Sequence, residues 1–319
     1  MKQILIFDTS IASGNLGDIL ILNSINKIFD RIFTNARFVS APTQEVIGKT
    51  TYKLNQSSNY SFVAGTNILS SNMNEYKQWN INYFDAINLK DVILFGVGWW
   101  QYQENPNLYT KLIYKKILSH NYIHSVRDNY TKKKLIDIGI KNVVTTGCPT
   151  TWMLNSAHCN QISTVKSDSV LFTLTDYKTD FVYDSQFIEL LKMKYKNLYF
   201  WPQGIGDQEY LNKFNYNGKI LNPKVSSLEN FLKKRNIDYV GTRLHAGIKA
   251  MEYKKRSIII GVDNRAAELS KDIDIPFVER SKLNLLKKKI ETKWKTKLKI
   301  DYKSINQWCS QFGNYYKKF

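Results

Sequence analysis

The run Gly241-Thr242-Arg243-Leu244-His245-Ala246-Gly247 places a guanidinium and an imidazole two residues apart, where an apolar stretch gives way to a helical pattern. Thr242 is suited to cap that helix. Arg243 and His245 then lie at its N-terminus, where unpaired N–H groups and the macrodipole favour an anion. An arginine can hold a phosphate or carboxylate with two parallel hydrogen bonds. The dipole alone favours a neutral imidazole, but a bound dianion reverses this and keeps an imidazolium available as an acid. The chemistry on offer is capture of a small anion beside a proton donor. A capped helix with a surface arginine and a packed histidine would carry the same letters.

Two further runs have the same character. Ser125-Val126-Arg127-Asp128 ends a strand pattern and precedes a helical one, so it brings a second arginine to a strand's carboxyl end. Arg127 and Asp128 can also form a local ion pair with the acid in the helix's first turn. Ser13-Gly14-Asn15-Leu16-Gly17-Asp18 joins the first strand pattern to the first helix, with two glycines that let backbone approach a ligand. It is neither the dinucleotide G-x-G-x-x-G nor a P-loop, and it reads equally as a plain helix-opening turn. Asp18 and Asp128 are the candidate bases by placement. Trp99 and Trp100, after Gly96-Val97-Gly98, can stack on a sugar face or plug an interface. Trp201-Pro202-Gln203-Gly204 and Asp263-Asn264-Arg265 are further strand-end candidates.

The elements that must position these residues alternate between strand and helix patterns, the sign of an α/β chain with parallel sheets. Strand patterns fall at 3–8, 61–65, 91–98, 122–127 and 142–147, with crossover helices over 16–33 and 111–118. A polar stretch at 155–167 separates them from a second series at 170–175, 198–204, 219–222, 238–242, 257–262 and 276–279. Helical patterns in this series cover 226–235 and 246–255. These give an N-terminal domain at 1–160, a C-terminal domain at 161–300 and a tail at 301–319. From Ser304 the tail is amphipathic, with Ile305, Trp308, Cys309, Phe312 and Tyr315 or Tyr316 on one face that must pack on something. In open α/β sheets ligands bind outside the carboxyl ends of the strands, which is where the motifs lie.

Composition narrows the partners. Lys and Arg number 46 against 27 acidic residues, a net charge of +19 that attracts phosphorylated ligands, anionic membrane surfaces or nucleic acid. No helix-turn-helix, zinc-finger or RNA-recognition signature supports nucleic acid. The three cysteines lack a CxxC spacing and the four histidines lack paired ligand spacing, so neither a disulfide frame nor a zinc site is expected. No apolar run has the length of a membrane span and the start lacks a signal-peptide pattern, so a cytoplasmic protein is expected.

Taken together, Gly14-Asn15-x-Gly17-Asp18, Ser125-x-Arg127-Asp128 and Gly241-Thr242-Arg243-Leu244-His245 resemble the polysaccharide pyruvyl transferase family over roughly residues 10–270. The resemblance implies two Rossmann-like domains in a GT-B-like arrangement, with the active site in the interdomain cleft and the donor side in the C-terminal domain. It implies a transferase that moves a pyruvyl group from phosphoenolpyruvate to sugar hydroxyls of a surface or lipid-linked glycan, with no metal and no cofactor. Arg243, the Leu244 backbone, Thr242 and Arg127 would hold the donor, and His245 would be the acid. Asn15, Gly17, Trp99 and Trp100 would meet the acceptor. The chain departs from the family's pattern at Ala64-Gly65-Thr66, where a glycine triplet is common, and at Arg265, where lysine is common. A peripheral place on the inner face of the membrane would suit a lipid-linked acceptor. The alternative on the same fold is a glycosyltransferase using a nucleotide sugar.

Overall fold

The computed structural model describes residues 1–313, and they form two compact units. Unit 1 gathers Met1–Ser13, Ile21–Trp152 and the segment from Ile300 onward, and unit 2 gathers Gly14–Leu20 and Met153–Lys299. The division thus falls inside the first helix and returns the C-terminal segment to the first unit. Tyr315 and Tyr316 of the amphipathic tail lie outside the described residues. None of the described helices is long and apolar enough to cross a membrane.

Unit 1 alternates strands and helices: β1 (Lys2–Asp8), α1 (Leu16–Ile32), β2 (Ala36–Pro42), α2 (Lys49–Ser57), β3 (Tyr60–Ala64) and α3 (Tyr83–Asn88). β4 (Val92–Phe95), α4 (Leu108–Ile117), β5 (His124–Val126), α5 (Asn129–Asp137) and β6 (Val143–Thr145) follow. The parallel strands run β2-β1-β3-β4, and a bridge from Val97 to Val126 carries the parallel pair β5-β6 alongside. Strands covered on both faces read as unbroken apolar runs, as Ile4–Phe7 does. Alternation then sends neighbouring residues to opposite layers. Leu5 and Phe7 join Val63, Leu94 and Trp99, whereas Ile4 and Ile6 join Phe62, Ile93 and Phe95. β2 escapes sequence reading because it is an edge strand in which only Ala41 is fully buried.

Unit 2 holds α6 (Ser156–Cys159), β7 (Ser169–Thr173), α7 (Phe181–Lys194), β8 (Asn197–Phe200), α8 (Asp207–Leu211), β9 (Lys219–Ile220) and α9 (Val225–Lys234). β10 (Asp238–Gly241), α10 (Leu244–Glu252), β11 (Ser257–Gly261), α11 (Asn264–Ile273), β12 (Phe277–Glu279) and α12 (Leu283–Glu291) complete it. Its six strands are parallel in the order β12-β11-β10-β7-β8-β9. The chain winds outward from β7 through β9, then restarts on the other side of β7 at β10. That reversal falls between the loops after β7 and β10, the kind of place where doubly wound sheets bind ligands.

The last helix, α13 (Tyr302–Ser310), belongs to unit 1. Its Ile305, Trp308 and Cys309, with Phe312, pack among Phe33, Phe62, Phe95 and Trp152. Trp308 stacks on Phe95 with ring centroids 4.3 Å apart.

Candidate active site

In unit 2, Arg243 ends the loop after β10 and is the N-cap of α10, one residue later than the Thr242 cap expected from sequence. The Thr242 hydroxyl is taken up elsewhere, bonding the Thr175 hydroxyl at 2.8 Å and the Thr173 carbonyl at 3.3 Å. No side chain caps α10. Leu244 and His245 are its first two residues, and both are buried.

Arg243 differs from its expected role as an open clamp. It is buried, and its Nε donates to Asp207 Oδ2 at 2.9 Å and the Leu174 carbonyl at 3.2 Å. Its Nη2 pairs with Asp207 Oδ1 and, at 2.8 Å, with Asp176 Oδ1. Asp207 also accepts the backbone N–H groups of Gln203 (3.0 Å), Gly204 (2.8 Å) and Asp176 (3.2 Å). Burial pushes the Asp207 carboxyl up from its ordinary range, and the Arg243 charge and these donors act against that rise. Burial opposes the charge on Arg243, but Asp207 outweighs it and pushes the guanidinium's pKa up. Gly204 is required here, since a Cβ would enter the space of Arg243 Nη2. No hydrogen bond engages Nη1 among the described residues, so one edge of the guanidinium is uncommitted.

A second cation adjoins the first. Arg265 pairs with Asp263 at 2.6 Å and bonds the Tyr177 hydroxyl, and the Tyr177 ring faces both guanidiniums, at 5.1 Å from Arg243 and 5.6 Å from Arg265. Asp263 caps α11 through the Arg265 N–H. Burial works against its ionisation, but the Arg265 charge and hydrogen bonds win and hold it far below the ordinary carboxylate range. Asp18 lies within electrostatic reach of Arg265.

The place of Asp18 in the sequence predicts the N-terminal domain for its turn, yet residues 14–20 cluster with unit 2. Backbone pairing is the reason. Asn15 bridges to Gly204, Leu16 N–H donates to the Gln203 carbonyl at 2.9 Å, and Ile205 N–H donates to the Gly14 carbonyl at 3.0 Å. Asn15 Oδ1 accepts from Gln203 Nε2 at 2.9 Å and the Gly17 N–H at 3.0 Å. A Cβ on Gly17 would press on that Gln203 amide at 2.6 Å.

Unit 1 holds the other expected residues. Arg127 is buried under Gly98, where a Cβ would strike its guanidinium, and it pairs with Asp128 through Nε (3.1 Å) and Nη2 (2.9 Å). Asp128 caps α5, its Oδ1 accepting from Thr131 N–H (2.8 Å) and hydroxyl (2.6 Å). Both carboxylate oxygens are therefore engaged, which argues against Asp128 as a base. The Trp99 expectation needs correcting. Its ring is fully buried in the unit 1 core, with Nε1 donating to Gln103 at 3.0 Å, so it offers no face to a sugar. Trp100 is 37% exposed and stacks on Tyr76 at 4.7 Å.

Asp176, Tyr177 and Asp207 were not singled out from sequence. The available signal was their place just after the strand patterns at 170–175 and 198–204, on the same sheet edge as Arg243. Among the described residues, no group of three or more His, Cys, Asp or Glu is placed to hold a metal.

The polysaccharide pyruvyl transferase family profile matches residues 15–264 of the chain, a span that includes the second and third motifs and all of the first except Gly14. No curated protein matches the sequence. Among solved structures, the UDP-GlcNAc 2-epimerase of Methanocaldococcus jannaschii, in complex with UDP-GlcNAc and UDP, resembles it with a TM-score of 0.54 and 13% identity. The likeness covers 93% of this chain and 95% of that one, and at that identity it shows the fold alone, an α/β fold of the GT-B-like kind. By its sequence over that span, the chain belongs to the polysaccharide pyruvyl transferase family and is a transferase.

Proposed function

We propose that the protein transfers a pyruvyl group from phosphoenolpyruvate to two hydroxyls of a sugar in a surface or lipid-linked glycan, closing a cyclic ketal. One observation carries this reading. Arg243-Leu244-His245 opens a helix with no side-chain cap, beside the strand-order reversal between β7 and β10. Asp207 fixes the guanidinium, and its Nη1 edge meets the donor's carboxylate or phosphate together with the first N–H groups of α10. Asp176, its side chain 30% exposed, is the partner that yields as the anion arrives.

In this reading His245 gives a proton to the methylene carbon of phosphoenolpyruvate, and the neighbouring carbon becomes oxocarbenium-like. A sugar hydroxyl adds there. Phosphate leaves with the electron pair of its C–O bond, and a second hydroxyl adds to close the ring. Of the two hydroxyl protons released, one restores the imidazolium and the other passes through Asp18 to the departing phosphate, which leaves as hydrogen phosphate; Asp18 is the base that remains once Asp128 is committed to capping. No cofactor or metal takes part. Asn15 and Gly17 contact the acceptor, whereas Arg127 stays paired with Asp128. The net charge of +19 suits a cytoplasmic enzyme working at the inner face of an anionic membrane.

The test is phosphate release from phosphoenolpyruvate across a panel of sugar acceptors. His245→Gln is expected to lower that rate by about a hundredfold or more. Release near the wild-type rate would remove His245 as the acid. Thermal stabilisation by nucleotide sugars and not by phosphoenolpyruvate would instead favour the glycosyltransferase reading.

A further inference from the structure

We infer that α3 and α4 form the face by which the protein docks on an anionic lipid bilayer. This rests on the membrane part of the function proposed above and not on its donor chemistry. α3 turns Tyr83, Phe84 and Ile87 outward, 49, 65 and 50% exposed. α4 does the same with Leu108 and Leu112, at 76 and 56%. On α3 the spacing is i, i+1, i+4, and on α4 it is i, i+4, so each helix presents one apolar stripe to solvent. The two helices lie side by side, and Tyr52 of α2 meets Phe84 edge-on at 6.5 Å.

The fold does not need this stripe. The inward faces of the same helices already supply Ala86, Ile113, Tyr114 and Ile117 to the core. Isolated exposed apolar residues are ordinary on a soluble protein, but five on two adjacent short helices mark an interaction surface.

Charge selects the partner. Lys111, Lys115 and Lys116 lie on α4, and Lys49 and Lys53 lie on the neighbouring α2. The single carboxylate on α3 and α4 is Asp85, which is buried and accepts hydrogen bonds from the Asn82 N–H (2.8 Å) and the Tyr52 hydroxyl (2.6 Å). The surface is therefore apolar with lysines around it and no exposed acid on either helix. That combination fits a bilayer interface, with apolar side chains entering at the acyl boundary and ammonium groups meeting headgroup phosphates.

Flotation of the full chain with phosphatidylcholine vesicles, with and without phosphatidylglycerol, tests this directly. The wild type is expected to float with the phosphatidylglycerol vesicles and to be released by salt. Phe84→Ser, Ile87→Ser, Leu108→Ser and Leu112→Ser combined should cut binding by about tenfold or more, as should Lys111→Glu, Lys115→Glu and Lys116→Glu combined. All seven side chains lie at the surface or partly so, and an unchanged thermal midpoint confirms that each variant is folded. Wild type that fails to float with anionic vesicles, or an apolar variant that floats like wild type, overturns the inference. Loss of a dimer on gel filtration in the apolar variant, with no vesicle binding by wild type, assigns the face to self-association and overturns it too. Vesicle binding is read without turnover, so a failure of the donor chemistry leaves this result standing.

Discussion

The two arginine centres solve one problem in different ways. Each guanidinium lies buried over a glycine that cannot carry a Cβ, Arg127 over Gly98 and Arg243 over Gly204. Arg127 is neutralised by its own neighbour, Asp128, which also caps the next helix. Arg243 is neutralised by Asp207 and Asp176, 36 and 67 residues distant in the chain. The first is a local device that steadies one strand-to-helix turn. The second ties together the loops after β7, β8 and β10, so its charge balance is a property of the whole sheet edge.

The sharpest way to break that contrast is to delete each arginine. Arg243→Ala leaves Asp207 buried without its cation and should cost about 3–5 kcal/mol in denaturant unfolding. Arg127→Ala leaves Asp128 still holding Thr131 and should cost less, about 1–3 kcal/mol. Equal losses would mean that the distinction between local and distributed pairing has no energetic content.

Acid sharpens it next. Unit 1 buries His124 as a neutral ring, its Nδ1 accepting from the Leu94 N–H at 3.1 Å and its Nε2 bonded to the Ser119 carbonyl at 2.8 Å. Burial pushes this imidazole down from 6.5 to about 4. A depressed folded value means the stabilisation is complete above the unfolded pKa and is lost as pH falls from about 6.5 towards 4. The shift corresponds to about 3 kcal/mol, read as a falling thermal midpoint that His124→Asn should flatten. Asp263 in unit 2 is also depressed, but its contribution is intact above the unfolded carboxylate range and drains only below it. Asp263→Asn should therefore flatten the profile only at the acid extreme. A single common window for both variants would contradict the two environments.

The smallest effect concerns the cap. Asp128→Asn keeps an acceptor for the Thr131 N–H but drops the charge facing Arg127, a change of about 1 kcal/mol. A loss as large as that of Arg243→Ala would move Asp128 out of the local class.

These differences also mark what the sequence can disclose. The strand ends carrying Arg127 and Arg243 are legible because short strand-prone runs, 122–126 and 238–241, give way at once to helical periods. The Arg127–Asp128 pair could be read because its members are adjacent. The partners of Arg243 could not, since pairing across dozens of residues leaves no periodic trace. Nor could the attachment of Asn15 to Gly204, which depends on backbone hydrogen bonds that any residue can make. Trp99 and Trp100 look alike in sequence, and only the packing around Tyr114 and Tyr76 separates a core indole from an exposed one. β2 was missed because an edge strand with one buried residue has no alternation to detect.

The return of α13 to unit 1 has a consequence for biosynthesis. Trp308 and Phe312 fill the layer that contains Phe62 and Phe95, yet they leave the ribosome after all of unit 2. Every chain segment of unit 2 has been translated once Lys299 is in place. Domains tend to consolidate in the order in which they are completed, so the lobe begun first is the one finished last. A ribosome stalled shortly after Lys299 would display a nascent chain whose leading half still exposes aromatic surface to chaperones and proteases.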